Sequence, residues 1–359
     1  MASWLLIDDS PEEAASYAQA LSDGDTFIVE PLSVNGALSA IGSDKFSPAG
    51  VLMDVDLSNE IGQQQTGPGI SQDMRVAQQK QTLPPFPIVR FSLRDKVLEN
   101  IGHDSSSDDI FDLKIEKDGL SDDSLRRSVR CKLIGVRQIY DVLGNDGVEL
   151  ADLLNLDPEL WMRWGSSAFE SDFEVGDRVH LRASPLIRMM VHPGLLIDED
   201  ILAFRLGIDR TSTGWSKLLE SLDEYKYEGV AGDCFVRWWA RGIEEWWQDK
   251  LAADAPLAGS NIQQRTEMLA KSFEGLKALT MPKGSMGDRP WRYCLLTKEL
   301  HQEVIPVDPS RAVRIKARSP MPSWLDPLYA AFGIALQNPG DRRLDKDDLK
   351  RLQPFARNQ

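Results

Sequence analysis

The chain of 359 residues is poor in cysteine and histidine. Its three cysteines, Cys131, Cys234 and Cys294, lie far apart in the sequence and form no CxxC pair. This usage argues against a disulfide framework and favours a reducing compartment. The four histidines are scattered, and the motifs of P-loops, GxSxG hydrolases and HExxH metalloproteases are absent. The sequence therefore carries no signature of an enzyme.

Long apolar runs and an excess of positive charge are also missing. No run of about 18 apolar residues exists, so we expect no membrane span. The segment Met1–Trp4 leads directly into a strand-like run without the features of a signal peptide, which favours a cytoplasmic protein. The 41 lysines and arginines face 56 aspartates and glutamates, a formal net charge of −15. This balance disfavours unspecific binding to nucleic acid or to anionic membranes.

The first 143 residues alternate between short apolar runs and helical segments. Ser10 and Pro11 have the pattern of a helix start, and a long last helix is expected to run from about Asp123 to Leu143. Five strand-like runs stand between the helices: Trp4–Ile7, Thr26–Val29, Val51–Met53, Pro87–Phe91 and Phe111–Glu116. This alternation predicts an α/β domain with a five-stranded parallel sheet and helices on both faces.

Polar residues follow four of the predicted strands at their carboxyl ends. Parallel sheets usually have their ligand-binding or catalytic site at these ends. Asp8 and Asp9 follow the first strand, Asp54 the third, Ser92 the fourth, and Lys117 the last. These ends meet at one edge of the sheet, so three carboxylates, a hydroxyl and an ammonium group are expected to converge there. Mg²⁺ takes oxygen ligands, and a carboxylate is able to accept a phosphoryl group. The pattern therefore predicts a magnesium and phosphoryl site.

This part of the chain resembles the receiver domain of two-component response regulators. The resemblance covers residues 1 to about 140 and is carried by four pieces: Leu5–Ser10, Leu52–Asp54, Phe91–Ser92 and Lys117–Gly119. It implies a flavodoxin-like doubly wound fold and phosphorylation by a sensor histidine kinase. The order and spacing of the pieces make the resemblance fairly specific for the first domain, and it does not extend to the rest of the chain.

The resemblance also implies a role for each site residue. Asp54 would be the phosphoacceptor. Asp8, Asp9, Asp54 and the main-chain carbonyl of Asp56 would hold Mg²⁺. Ser92 and Lys117 would bind the phosphoryl oxygens. Lys114 is the alternative lysine; it would place Phe111 at the usual position of a switch aromatic, but would leave Asp112 at a normally buried place.

Several features depart from the receiver pattern. The loop that follows Asp54, residues 58–69, is long and rich in glutamine. The helix expected at Arg94–Ile101 is short, and an acidic loop, His103–Asp109, precedes the last strand. An alternative interpretation is therefore a pseudo-receiver, which keeps the fold as a scaffold and does not depend on phosphate.

The rest of the chain is expected to be a mostly helical α+β region, divided into a helical domain at 144–250 and a mixed region at 251–359. Leu150–Trp164 and Asp200–Leu222 resemble helix-turn-helix units, which are common output modules of response regulators. Their second helices carry few basic residues, so packing or protein contact is favoured over DNA binding.

Other segments of this region have patterns of their own. In Arg237–Trp247 the tryptophans share one helical face, which favours a core and leaves a partner surface as the alternative. Arg292–Thr297, Val304–Val307 and Ala312–Ala317 are predicted strands, and Trp324–Leu336 is a predicted apolar helix.

The leading hypothesis is an atypical response regulator that changes a protein-interaction surface when Asp54 is phosphorylated. Its expected partners are a histidine kinase and a protein that contacts the C-terminal region. The alternatives are a DNA-binding transcriptional regulator, an enzyme with a site in residues 145–359, and a phosphate-independent scaffold.

Overall fold

Five short strands near the start of the chain pair in parallel as one sheet, in the order β2-β1-β3-β4-β5. They are β1 (Trp4–Ile7), β2 (Val29–Leu32), β3 (Gly50–Met53), β4 (Ile88–Ser92) and β5 (Leu113–Glu116). All residues of β3 and β4 are buried, which is the burial expected for central strands with helices on both faces. This strand order is that of the flavodoxin-like doubly wound fold, so the predicted α/β class is confirmed.

The computed structural model describes residues 3–41, 43, 46–57, 66–93, 110–145, 147–176, 178–251, 255–299, 303–317 and 321–356. The chain is divided into two compact units. The first unit comprises Met1–Leu156, Phe169–Arg188 and Glu228–Phe235, and the second comprises Asp157–Ala168, Met189–Tyr227 and Val236–Gln359. The division into three domains stays a prediction. The predicted helix at Arg94–Ile101, the acidic loop at His103–Asp109 and most of the glutamine-rich loop lie outside the described residues.

The helices around the sheet begin where the sequence places their capping residues. They are α1 (Pro11–Leu21), α2 (Val34–Ile41), α3 (Gly67–Gln79) and α4 (Asp123–Leu143). The Ser10 hydroxyl accepts the N–H of Glu13 at the start of α1, and the Asp122 carboxylate accepts two N–H groups at the start of α4. These caps satisfy main-chain donors that have no partner within a helix, so local sequence sets both boundaries.

Strand β2 lies further along the chain than its hydrophobic pattern indicates. The sequence predicts a strand over Thr26–Val29, but pairing with β1 begins at Val29 and continues to Leu32. Phe27 instead forms an isolated bridge with Asp23. Because β2 is an edge strand, Pro31 is accommodated there despite lacking an N–H group. The sheet partner, rather than the apolar run, therefore decides the position of this strand.

A buried ion pair fixes α3 to the sheet within the first unit. The Arg75 guanidinium lies 2.6 Å from the carboxylate of Asp112, and the Tyr140 hydroxyl donates to the same carboxylate at 2.7 Å. Burial would lower the pKa of Arg75, but the charge of Asp112 outweighs it and raises that pKa. This arrangement gives Asp112 a structural role at the start of β5.

The charges of this ion pair act on His180, which lies at the start of a later helix, Val179–Val191. Burial is the largest of the effects that lower the pKa of His180 to about 4, and the charge of Arg75 acts in the same direction. An unfolded chain would protonate this imidazole near pH 6.5, whereas the folded protein would hold it neutral. Stability contributed by neutral His180 is therefore present above pH 6.5 and is lost as the pH falls towards 4.

We expect His180→Gln to remove this pH dependence. Wild-type protein should lose about 1–2 kcal/mol of stability between pH 7 and pH 5 through this group, with partial exposure taken into account. Urea unfolding at the two pH values measures the loss, and His192→Gln is the matched control. An equal loss in wild type and in His180→Gln would contradict the assignment.

The remainder of the described chain is mostly helical. Its helices are α5 (Leu150–Leu154), α6 (Pro158–Trp164), α7 (Ser167–Phe173), α8 (Val179–Val191), α9 (Glu199–Leu206), α10 (Trp215–Glu220), α11 (Ala240–Asp249), α12 (Ile262–Ala270), α13 (Leu295–Glu299), α14 (Phe332–Gln337) and α15 (Lys346–Ala356). Three antiparallel strand pairs accompany them: β6 (Leu196–Ile197) with β7 (Trp238–Trp239), β8 (Arg292–Tyr293) with β9 (Pro306–Val307), and β10 (Ala312–Ile315) with β11 (Leu328–Ala331). Among the described residues, no helix has both the length and the apolar character needed to cross a membrane.

The tryptophan-rich segment is part of a core in the second unit. Trp239, Trp246 and Trp247 are 1%, 3% and 1% exposed. The rings of Trp161, Trp164 and Tyr227 lie 5.8–6.3 Å from the ring of Trp239. The core interpretation of this segment is therefore confirmed, because these indoles are buried. The single helical face is wrong in part, since Trp238–Trp239 form β7 and the helix begins at Ala240.

Two predictions for the end of the chain are wrong in part. The apolar run Trp324–Leu336 is not one helix, because Leu328–Ala331 pair with β10 and only Phe332–Gln337 are helical. The run Arg292–Thr297 is a strand for only two residues before α13 begins at Leu295. Both runs are short and apolar, and periodicity alone does not distinguish a buried strand from a buried helix at that length.

Candidate functional site

The polar residues predicted at the strand ends meet at the carboxyl edge of the sheet. Ile7 and Met53 are register partners in β1 and β3, and the N–H of Asp54 donates to the carbonyl of Ile7 at 2.9 Å. Asp8 and Asp54 therefore leave adjacent strands side by side. This position lies between β1 and β3, where the strand order reverses, which is the usual position of a site in such sheets.

Three carboxylates share this buried position. Asp8, Asp9 and Asp54 are 3%, 8% and 1% exposed. Each offers a carboxylate oxygen, and the three oxygens lie within 4.8 Å of one another. Like charges this close repel one another strongly when water is excluded, so the cluster requires positive charge.

Lys117 supplies positive charge to the cluster. Its ammonium nitrogen lies 2.5 Å from Oδ2 of Asp8 and 2.7 Å from Oδ2 of Asp54. Burial lowers the pKa of Lys117, but the charges of Asp54 and Asp8 and their hydrogen bonds outweigh it, so the pKa is raised. The rings of Tyr17 and Phe91 lie 5.5 and 5.6 Å from the ammonium group. Lys117 is therefore a fully charged bridge between two carboxylates.

The alternative lysine occupies a different place. Lys114 is exposed within β5, where Arg90 of β4 is its register partner. Lys117 follows β5 directly, and its N–H donates to the carbonyl of Ser92 at 3.1 Å. The geometry thus brings Lys117 to the carboxylates and leaves Lys114 on the surface.

Ser92 and the main chain hold the other oxygen of Asp54. The Ser92 hydroxyl donates to Oδ1 of Asp54 at 2.5 Å, and the N–H of Val55 donates to the same oxygen at 2.7 Å. Oδ1 of Asp8 accepts the N–H of Ser10 at 2.9 Å, which ties this carboxylate to the start of α1. Asp54 is consequently oriented by donors on both of its oxygens.

Asp56 stands two residues after Asp54 and is half-buried. Its predicted role uses the main-chain carbonyl, so it does not depend on the side chain. All of the predicted site residues are described by the structure, and Asp8, Asp9, Asp54, Ser92 and Lys117 form the buried cluster.

Sequence reasoning missed one residue that shapes this site. Gly67 begins α3, and its N–H donates to the carbonyl of Val55 at 3.1 Å. A Cβ on Gly67 would lie 1.7 Å from the main-chain oxygen of Asp54. Thr66 and Pro68 indicate a helix start here, because threonine is a common capping residue and proline is favoured in the first helical turn. The sequence prediction of a loop over residues 58–69 is therefore wrong at its end.

The donor set suits a divalent metal ion. Three carboxylates are buried together, and the Lys117 ammonium group contacts two of them. Buried charge of one sign is costly unless it is neutralised. Carboxylate oxygens are ligands of hard divalent cations such as Mg²⁺ and Ca²⁺. The Asp8, Asp9 and Asp54 group is therefore able to hold a metal ion.

Comparison with known proteins gives no family for this chain. No family model and no curated protein matches it. Among solved structures, one match is a fusion that contains the trimeric coiled coil of yeast Spc42, with 17% identity and a TM-score of 0.27. The match covers 48% of this chain and 92% of that chain. A match with this TM-score supports no conclusion about the fold, so the site is interpreted from its own geometry.

Proposed function

We propose that the first unit is a receiver domain whose Asp54 accepts a phosphoryl group. The observation that carries the proposal is the position of the Asp54 carboxylate between Ser92 and Lys117, beside Asp8 and Asp9. This is one nucleophilic carboxylate with a hydroxyl, an ammonium group and two further acids around it. Such a set serves phosphoryl transfer by positioning and charge stabilisation.

In the proposed reaction, an oxygen of Asp54 attacks the phosphorus of a phosphohistidine on a sensor kinase. The new bond joins the Asp54 oxygen to phosphorus, and the bond from phosphorus to the histidine nitrogen breaks, with the electron pair left on that nitrogen. Asp8, Asp9, Asp54 and the carbonyl of Asp56 would hold Mg²⁺, which supplies neutralising charge for the phosphoryl oxygens when bound. Lys117 and Ser92 would then exchange their Asp54 contacts for phosphoryl oxygens.

The proposed output follows from that exchange. Ser92 ends β4 and Lys117 follows β5, so a new phosphoryl group would alter contacts at that end of the sheet. A change in these contacts would bias a two-state equilibrium and alter a surface that contacts another protein. DNA binding through a helix-turn-helix-like unit stays an alternative, and its few basic residues count against it.

Acetyl phosphate with Mg²⁺ tests the proposal. Wild-type protein should gain one acid-stable, alkali-labile phosphoryl group, and Asp54→Asn should gain none, because an amide is not a nucleophile for this transfer. Asp56→Asn is the matched control: it changes the same residue type two positions away and keeps the main-chain carbonyl. Mass spectrometry of the intact protein measures the gain.

Two outcomes would overturn the proposal. One is a wild-type protein that gains no phosphoryl group while a known receiver does so in parallel. The other is equal gain in wild type and in Asp54→Asn. The first result would favour a phosphate-independent scaffold with the same fold, and the second would assign the phosphoryl group to a residue other than Asp54.

A further inference from the structure

A cavity of about 320 Å³ lies within the second unit. Arg205, Trp291 and Arg292 form part of its wall, and Arg241 and Glu244 of α11 are exposed where they line it. The lining carries three arginines and two acids, in a chain that is strongly acidic as a whole. Its volume is in the range of pockets that hold small organic ligands.

Two of the arginines that line this cavity, Arg205 and Arg292, are largely buried. Arg205 is 2% exposed, and its guanidinium lies 4.6 Å from the ring centre of Trp291. Arg205 and Arg292 share one carboxylate, because each guanidinium contacts Asp326 at 2.8 and 2.7 Å. One carboxylate neutralises only one of the two guanidinium groups, so these contacts leave one positive charge over.

Arg265, which does not line the cavity, adds a further buried guanidinium next to Trp291. It is 0% exposed, lies 5.5 Å from the ring centre of Trp291, and donates to main-chain carbonyls, including that of Pro290. Burial is the main cause that lowers the pKa of Arg265 and of Arg292 to about 10, and the charge of Arg205 acts in the same direction. Arg265 and Arg292 therefore remain cationic at neutral pH.

This cluster also has more donors than acceptors. Nε of Arg205, Nε of Arg292 and Nη2 of Arg265 are buried and make no hydrogen bond within the part of the chain that the structure describes. A buried donor without a partner is costly, and more so on a charged group. Such donors in a native structure call for an explanation, for example a functional role or a bound water or ion.

We propose that this cavity binds a small molecule that carries a phosphate or a carboxylate on a flat apolar group. An oxyanion would bring acceptors and negative charge to Arg205 and Arg292, whose forked groups match both kinds of oxyanion. The flat group would contact the apolar part of the lining, which includes Trp291 and Trp324. The site is independent of the Asp54 cluster, since all of its residues belong to the second unit.

Four probes in calorimetry distinguish the two sources of the oxyanion. AMP and benzoate each carry an oxyanion on a flat group, and adenosine and benzamide are their uncharged counterparts. At least one anionic probe should bind to a single site, and its counterpart should bind at least about tenfold more weakly. Binding of only AMP or only benzoate supports the proposal and identifies the oxyanion.

Two substitutions at the exposed rim of the cavity, formed by Arg241 and Glu244, test the position of the site. One removes a positive charge and the other removes a negative charge. Arg241→Gln should weaken the binding of the anionic probe up to about fivefold, and Glu244→Gln should strengthen it by a similar factor. Both residues are exposed, so the fold should tolerate either change. Arg314→Gln is the control, because its side chain is 68% exposed and does not line the cavity.

Arg292→Lys tests whether the oxyanion contacts the buried arginines. The substitution keeps the positive charge but removes the forked guanidinium group. It should weaken binding about tenfold in a variant whose circular dichroism matches wild type. The proposal is overturned if neither AMP nor benzoate binds, if the uncharged probes bind equally well, or if the two rim variants match Arg314→Gln.

Discussion

Lys117→Met is expected to destabilise the first unit. The free energy needed to open its central sheet should fall by about 3–5 kcal/mol. The substitution keeps an unbranched side chain of similar length but removes the ammonium group that contacts Asp8 and Asp54. The three carboxylates would then be buried beside one another without their positive partner. Removing one partner of a buried ion pair destabilises a protein more than replacing both partners by apolar residues. The remaining charge is then buried without water or a partner to stabilise it.

Hydrogen exchange measures this loss where it occurs. The slowest amides of β3 report the opening of the central sheet, so their exchange should accelerate by a factor that corresponds to the lost free energy. Lys114→Met is the matched control, because Lys114 is exposed in the same strand region and should change stability by only about 0.5 kcal/mol or less. Equal effects of the two substitutions would contradict the role assigned to Lys117.

Magnesium should partly reverse the effect of Lys117→Met. A divalent cation bound to the remaining carboxylates would replace lost positive charge, and a ligand that binds only the folded state stabilises it. Millimolar Mg²⁺ should therefore slow β3 exchange more in Lys117→Met than in wild type. No response to Mg²⁺ in either protein would argue against a metal site at this cluster.

Gly67→Ala is expected to damage the site through the main chain of Asp54. The added methyl group would lie 1.7 Å from the Asp54 carbonyl oxygen and 2.8 Å from its carbon, so the start of α3 or the end of β3 must move. Overpacking of this kind costs roughly 3 kcal/mol. A displacement of about 1 Å at a reacting group also lowers the rate of reaction on the order of 100-fold.

Gly69→Ala provides the control for this substitution. Both glycines lie in the first turn of α3, but the nearest atom to a Cβ on Gly69 is the Thr66 hydroxyl oxygen at 3.4 Å, an ordinary contact. Gly69→Ala should therefore keep wild-type stability and phosphorylation, and alanine favours the helix. The account of the Asp54 turn would be wrong if Gly67→Ala were phosphorylated by acetyl phosphate as fast as Gly69→Ala.

Much of the first unit was predictable because its signals are local. The boundaries of β1, the start of α1 and the extent of α4 agree with the structure, since each depends on an apolar run or a capping residue. The convergence of Asp8, Asp54 and Lys117 was also predictable, because strand ends of a parallel sheet meet at one edge.

Features that depend on distant partners could not be predicted in this way. The position of β2 follows from pairing with β1, and Leu328–Ala331 become a strand because β10 is their partner. The close approach of Gly67 to Asp54 joins two segments that the sequence separates by a long polar loop. The arginine cavity unites residues from six separate stretches, none of which carries a motif.

Location of the phosphoryl group tests the central claim most directly. After reaction with acetyl phosphate and Mg²⁺, borohydride reduces an aspartyl phosphate to homoserine, which marks the modified residue in the mass spectrum of its peptide. The account predicts homoserine at position 54, and unmodified aspartate at positions 8, 9 and 56. Absence of homoserine at position 54, or its appearance at another aspartate in equal yield, would contradict the assignment of Asp54 as the phosphoacceptor.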